Sequence, residues 1–178
     1  MNVPFFRRAT VAVLSVVVLS ACSATGVAGD DGHTLAETKS PVQLLRNDAA
    51  SRVDAAVIAD ARGEVDGSAA CLDEFDNPDG VVRQWISGIE LVLTEDADLT
   101  AVSDALVRTF VVDGWQEQDL SSGKSFALTI LSTENSVAQV QIEASAESDG
   151  GLIRVTSTGP CVTTLGPDSD EVRDLEGR

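Results

Sequence analysis

Ala138-Gln139-Val140-Gln141-Ile142-Glu143-Ala144 alternates apolar and polar side chains along its whole length. Successive side chains of a strand point to opposite faces, so this stretch has one dry face and one wet face. It predicts a half-buried strand in an antiparallel sheet. Upstream, Phe126, Leu128 and Ile130 alternate in the same way before a turn at Glu134-Asn135. Downstream, Ser148-Asp149-Gly150-Gly151 turns the chain into a last strand over 152–157. A short strand over 115–120 precedes these and is joined to them by the turn Ser121-Ser122-Gly123-Lys124. Further back, Asn77-Pro78-Asp79-Gly80 is a turn signal before a β-rich run over 81–93. Ile89, Leu91 and Leu93 alternate there, and Gly88 is read as a bulge or a close backbone approach.

Two stretches carry the helical period instead. Ser40 suits an N-cap, Pro41 the first helical position, and Gln43 completes a capping box. Val42, Leu45, Ala49, Val53, Ala56 and Ala59 then form an apolar stripe, predicting a helix that ends near Arg62-Gly63. Leu99, Val102, Leu106 and Phe110 predict a second helix over 98–112, with Gly114 at its C-terminal stop. The expected fold class is α+β: two helices packed on one face of a mostly antiparallel sheet of about four to five strands. The single domain is expected over 40–162, with 163–178 a disordered acidic tail.

The N-terminus reads as an export signal. Arg7 and Arg8 precede an apolar run over 9–19 that is too short to span a bilayer, and small residues Ser20 and Ala21 follow it. Leu19-Ser20-Ala21-Cys22 resembles a lipobox, the processing site of bacterial lipoproteins. The resemblance implies cleavage after a signal peptide over 1–21 and a lipid, palmitate among its acyl chains, on Cys22. Residues 22–39, with Gly26, Gly29 and Gly32, read as a flexible tether between the lipid and the domain.

Losing residues 1–21 takes two arginines and no acid from the formal net charge of −17, leaving −19. Such a surface repels phosphates and anionic headgroups, so nucleic acid is excluded as a partner and the lipid must do the anchoring. With Cys22 committed to lipid, Cys71 and Cys161 remain of three cysteines. An even pair in an exported chain reads as a disulfide.

Motifs for chemistry are sparse. Ser121-x-x-Lys124 matches the Ser-x-x-Lys nucleophile pattern, but it falls in a hairpin turn without companion motifs. Gly123-Lys124-Ser125 ends like a phosphate-binding loop, with Gln118 where its first glycine belongs. His33 is the only histidine and sits in the expected tether. Asp73, Glu74, Asp76 and Asp79 form an acidic loop without EF-hand spacing. No catalytic residue, metal or cofactor is assigned. Trp85 and Trp115 are the candidate ligand contacts.

The lipobox at 19–22, the tether, the Cys71 and Cys161 pair, Gly159-Pro160-Cys161, the Trp85 strand and Asp113-Gly114-Trp115 together resemble small actinobacterial lipoproteins, a type with no assigned activity. The resemblance implies an exported α+β domain on the extracytoplasmic face of the cell membrane. The expectation is a non-enzymatic binding or accessory module whose partner is an envelope protein or a small ligand. The alternative is a carboxylate-dependent hydrolase acting on envelope glycans.

Overall fold

The computed structural model describes residues 32–121, 126–147 and 150–178. The expected signal peptide over 1–21, the lipobox-like stretch 19–22 and Cys22 lie outside them, as do most of the 121–125 motifs and, in part, the expected turn at 148–151. The described chain is α+β: helices α1 (Leu35–Ser51), α2 (Leu99–Val112) and α3 (Asp170–Glu176), and strands β1 (Ile58–Ala70), β2 (Val82–Leu93), β3 (Gln116–Ser121), β4 (Phe126–Ser132), β5 (Gln139–Glu147), β6 (Gly150–Thr158) and β7 (Val162–Thr163). The strands form one antiparallel sheet in the order β1-β2-β6-β5-β4-β3, with β7 paired to β2 beyond the end of β6. The sheet is larger than expected, and three helices replace two.

Helix α1 begins earlier than its sequence signals suggest. Thr34 is the N-cap, and its hydroxyl accepts from the Glu37 amide while Glu37 accepts from the Thr34 amide at 2.8 Å. This capping box stands six residues ahead of the Ser40–Gln43 pattern and places Pro41 inside the helix. Pro41 lacks an N–H, so the helix forgoes one internal hydrogen bond. Burial of Leu35 and Thr38 favours the longer helix. The expected tether over 22–39 is therefore helical from residue 35.

The same helix stops at Ser51, not near 62. Asp54 caps a one-turn 3₁₀ segment, Ala55–Val57, by accepting from the Ala56 amide. Residues 58–70 then pair with β2 as an edge strand. Their alanines and glycines carry little strand preference, and tertiary pairing overrides that. Gly63 sits at φ 69 beside a register shift between Arg62 and Val65. A Cβ there would come within 2.9 Å of the Glu90 carboxylate, so glycine meets both the backbone and the space requirement. The irregularity thus falls on β1. Opposite it, Gly88 pairs in register with Thr156, where a Cβ would lie 3.3 Å from the threonine hydroxyl.

Helix α2 matches its expected span. Asp98 caps it by accepting from the Ala101 amide, and Leu106 and Phe110 are buried. Odd-numbered residues of β2 and β6 and even-numbered residues of β5 face the helices, so the core lies on one side of the sheet. One cluster joins Ala49 and Val53 of α1 and Phe110 of α2 to Leu91, Ile142 and Val155. A second joins Leu35 and Val42 to Trp85, Val162 and Val172. Between them along β2 and β6, Ser87 and Ser157 face each other in register, wholly buried.

The expected disordered tail is ordered. Ser169 caps α3, Val172 is fully buried, and Glu176 accepts from both the amide and the hydroxyl of Ser68 in β1. Lys39 Nζ reaches the Leu175 carbonyl at 2.6 Å and lies 4.7 Å from the Trp85 ring centroid, tying α3 to α1. Burial pushes the Glu176 carboxyl up, but the Ser68 hydrogen bonds and Arg178 outweigh it and hold the group below its ordinary value. A depressed carboxyl stabilises the fold above the ordinary carboxylate range and loses that stabilisation as pH falls through it. Glu176→Ala is expected to cost about 1–2 kcal/mol at pH 7. In urea unfolding, the gap to wild type should shrink at about pH 3; an equal gap at both pH values would contradict this account of α3.

Candidate functional site

Cys71 and Cys161 lie at disulfide distance, with sulfurs 2.15 Å and Cα atoms 5.9 Å apart. The bridge joins the end of β1 to the segment between β6 and β7, across 90 residues of sequence. Closing a loop of that length stabilises by roughly 4–5 kcal/mol in the chain-entropy description.

The two tryptophans do not form a platform. Trp85 is completely buried, and its indole N–H donates to Asp66 at 2.8 Å. It has no surface to offer a ligand, which corrects its candidacy as a contact. Trp115 is half-buried and packs edge-on against Phe110 at 5.2 Å. In the acidic loop, the Asp73 carboxylate accepts from the Phe75 and Asp76 amides, so the loop's own backbone satisfies it. Among the described residues, no group of three or more His, Cys, Asp or Glu is placed to hold a metal ion. Likewise, no described helix is long and apolar enough to cross a membrane.

A shallow trough of about 390 Å³ runs between the end of α1 and α2, floored by Val53, Val102 and Leu106. Arg52 crosses it, bound to Asp48 at 2.9 Å and Asp113 at 2.7 Å, with its guanidinium 4.2 Å from the Phe110 ring centroid.

The more distinctive surface is the sheet face turned away from the helices. At its centre Arg154 of β6 bridges two neighbours, Glu90 of β2 at 2.6 Å and Glu143 of β5 at 3.1 Å. Strand order and register dictate this triad, because Glu90, Arg154 and Glu143 are directly opposite one another. The Glu90 hydrogen bond holds the arginine above its ordinary pKa. A guanidinium stands between Glu90 and Glu143, so they are not the open, facing pair that a glycan hydrolase needs.

Toward the disulfide end, the same face becomes neutral. Gln84 of β2, Thr158 of β6, Gln139 of β5 and Ser132 of β4 come from four adjacent strands and line a depression of about 310 Å³. Thr133, Val137 and Pro160 contribute to its rim, and none of its described lining residues is ionisable apart from the bonded Cys161. Among the described residues, the Gln84, Gln139, Ser132 and Thr158 side chains have no hydrogen-bond partner within the protein. Sequence reading places Gln139 on a wet face but cannot find this grouping, because only the strand order brings the four residues together.

Comparison with protein-family models, with curated proteins and with solved structures finds no match to this chain.

The triad makes a specific demand on stability. Arg154→Ala leaves two like charges flanking β6 on a half-exposed surface, and is expected to cost about 1 kcal/mol at pH 7. Adding Glu143→Gln to that variant should restore part of the difference by removing one of the two charges. Thermal melts of the single and double variants beside wild type check it.

Proposed function

We propose that this chain is an exported bacterial lipoprotein, cut before Cys22, whose domain is a non-enzymatic binding or accessory module at the extracytoplasmic face of the membrane. The observation that carries the reading is the order of signals at the N-terminus. Arg7-Arg8, a short apolar run and Leu19-Ser20-Ala21-Cys22 stand in sequence, and the first described helix is capped by Thr34, about a dozen residues later. Two acyl chains or more on one cysteine suffice for stable anchoring. The cysteine pair at disulfide distance suits an oxidising compartment.

Binding is favoured over hydrolysis because Glu90 and Glu143 share Arg154, and Asp54 and Asp98 in the α1–α2 trough already accept backbone amides as caps, while uncommitted amides and hydroxyls line the neutral depression. The partner is an envelope protein or a small ligand; the charge of −19 on the mature chain opposes nucleic acid and anionic lipid surfaces alike.

Expression of wild type and Cys22→Ala in a bacterial host tests the anchor. Wild type should partition into the membrane fraction and into the detergent phase. Cys22→Ala should be lost from both and recovered as soluble exported protein or unprocessed precursor. Identical partitioning of the two would refute lipid anchoring.

A further inference from the structure

We infer that the depression lined by Gln84, Ser132, Gln139 and Thr158 is a binding site for a neutral saccharide. The inference deepens the binding-module reading and rests on it. Three observations combine. First, the site carries no ionised group on a chain that is strongly acidic elsewhere. The surrounding field disfavours anions at this position, and no carboxylate is present to hold a cation, so the chemistry left is uncharged. Second, four of its polar side chains, the Gln84 and Gln139 carboxamides and the Ser132 and Thr158 hydroxyls, have no internal partner, while Ser136 and Thr133 hold the adjoining turn. Each amide donates and accepts, which matches the mixed donor and acceptor character of sugar hydroxyls. Third, apolar surface stands beside them: Val137 is 41% exposed, and Pro160 shares the rim. A pyranose ring presents an apolar C–H face and a hydroxyl edge, and the site offers a counterpart to both.

The frame is rigid enough to hold such a ligand. Gln139 and Thr158 are register partners on neighbouring strands. Ser136 Oγ donates to the Ala138 carbonyl at 2.8 Å and accepts from the Ala138 amide, fixing the turn before β5. The Cys71–Cys161 bridge fastens the opposite wall. Gly159 completes it: a Cβ there would meet Thr38 at 3.1 Å and Val42 at 3.2 Å, so the wall lies directly against α1. With its groups set on strands, binding orders few rotamers beyond the two glutamines.

The test is an amide-resolved NMR titration of the full mature chain, residues 22–178, kept in solution by Cys22→Ala. The probes are maltotetraose and chitotetraose, with tetragalacturonate as the anionic counterpart. At least one neutral tetrasaccharide should give saturable shifts confined to residues 132–139, 158–161 and 84. Gln139→Ala and Gln84→Ala should each weaken that binding about fivefold or more without lowering the melting temperature, and tetragalacturonate should bind at least about tenfold more weakly. The inference is overturned by no saturable shift from either neutral sugar at about 20 mM, by shifts mapping elsewhere, or by equal binding of the anionic sugar. Failure here would leave the fractionation of Cys22→Ala untouched, so loss of the saccharide site and loss of the anchored-module reading are separate results.

Discussion

All the described helices bury their apolar residues against a single face of the sheet, and the rest of the structure follows from that one-sidedness. A strand with one covered face must alternate, and β2, β5 and β6 do so strictly enough that Trp85, Leu91, Ile142 and Val155 all point the same way. The register then sends their even or odd neighbours to the opposite face together, where Leu152 alone of the even β6 residues is buried. Glu90, Arg154 and Glu143 meet because they are opposed on the wet face, and Gln84, Thr158 and Gln139 gather for the same reason. The candidate site is a consequence of which face the core occupies, with no separate motif behind it.

The second governing feature is charge. The acidic surface repels itself, which keeps the domain soluble and opposes compaction. Two devices offset this. The Cys71–Cys161 bridge restricts the unfolded chain across 90 residues, and the C-terminal segment is pinned by α3 through Val172, Leu175 and Glu176. Both fasten the region around Trp85, where the smaller of the two hydrophobic clusters lies. Nearby, Arg83 donates to the Ser68 hydroxyl at 2.9 Å and to its carbonyl at 3.0 Å, joining β2 to the strand that receives α3.

What the sequence made legible depends on how many signals coincided. Helix α2 was plain because Asp98, the Leu106–Phe110 stripe and Gly114 agree on its limits. Strand β5 was plain because alternation extends over its whole length. Helix α1 was displaced because two capping boxes compete, Thr34–Glu37 and Ser40–Gln43, and Pro41 favours the second by local rules. Burial of Leu35, a tertiary effect, selects the first. Strand β1 was hidden by Ala, Gly and Asp residues that resemble a helix end or a loop. Its strand state comes from the free edge of β2. Helix α3 was hidden because its charged sequence offers only Val172 and Leu175 as apolar contacts. For Trp85 the sequence leaves both core packing and ligand contact open, because indole placement depends on sheet sidedness. The neutral depression needed the order β2-β6-β5-β4, which no local pattern encodes.

Export, anchoring and cross-linking form one claim about this chain, and intact-mass measurement of the mature protein from native membranes, with and without reductant, tests it most directly. The account predicts a chain beginning at Cys22 that carries a diacyl or triacyl increment and gains about two daltons on reduction. A chain of unmodified mass recovered from the medium, or one unchanged by reductant, would contradict it.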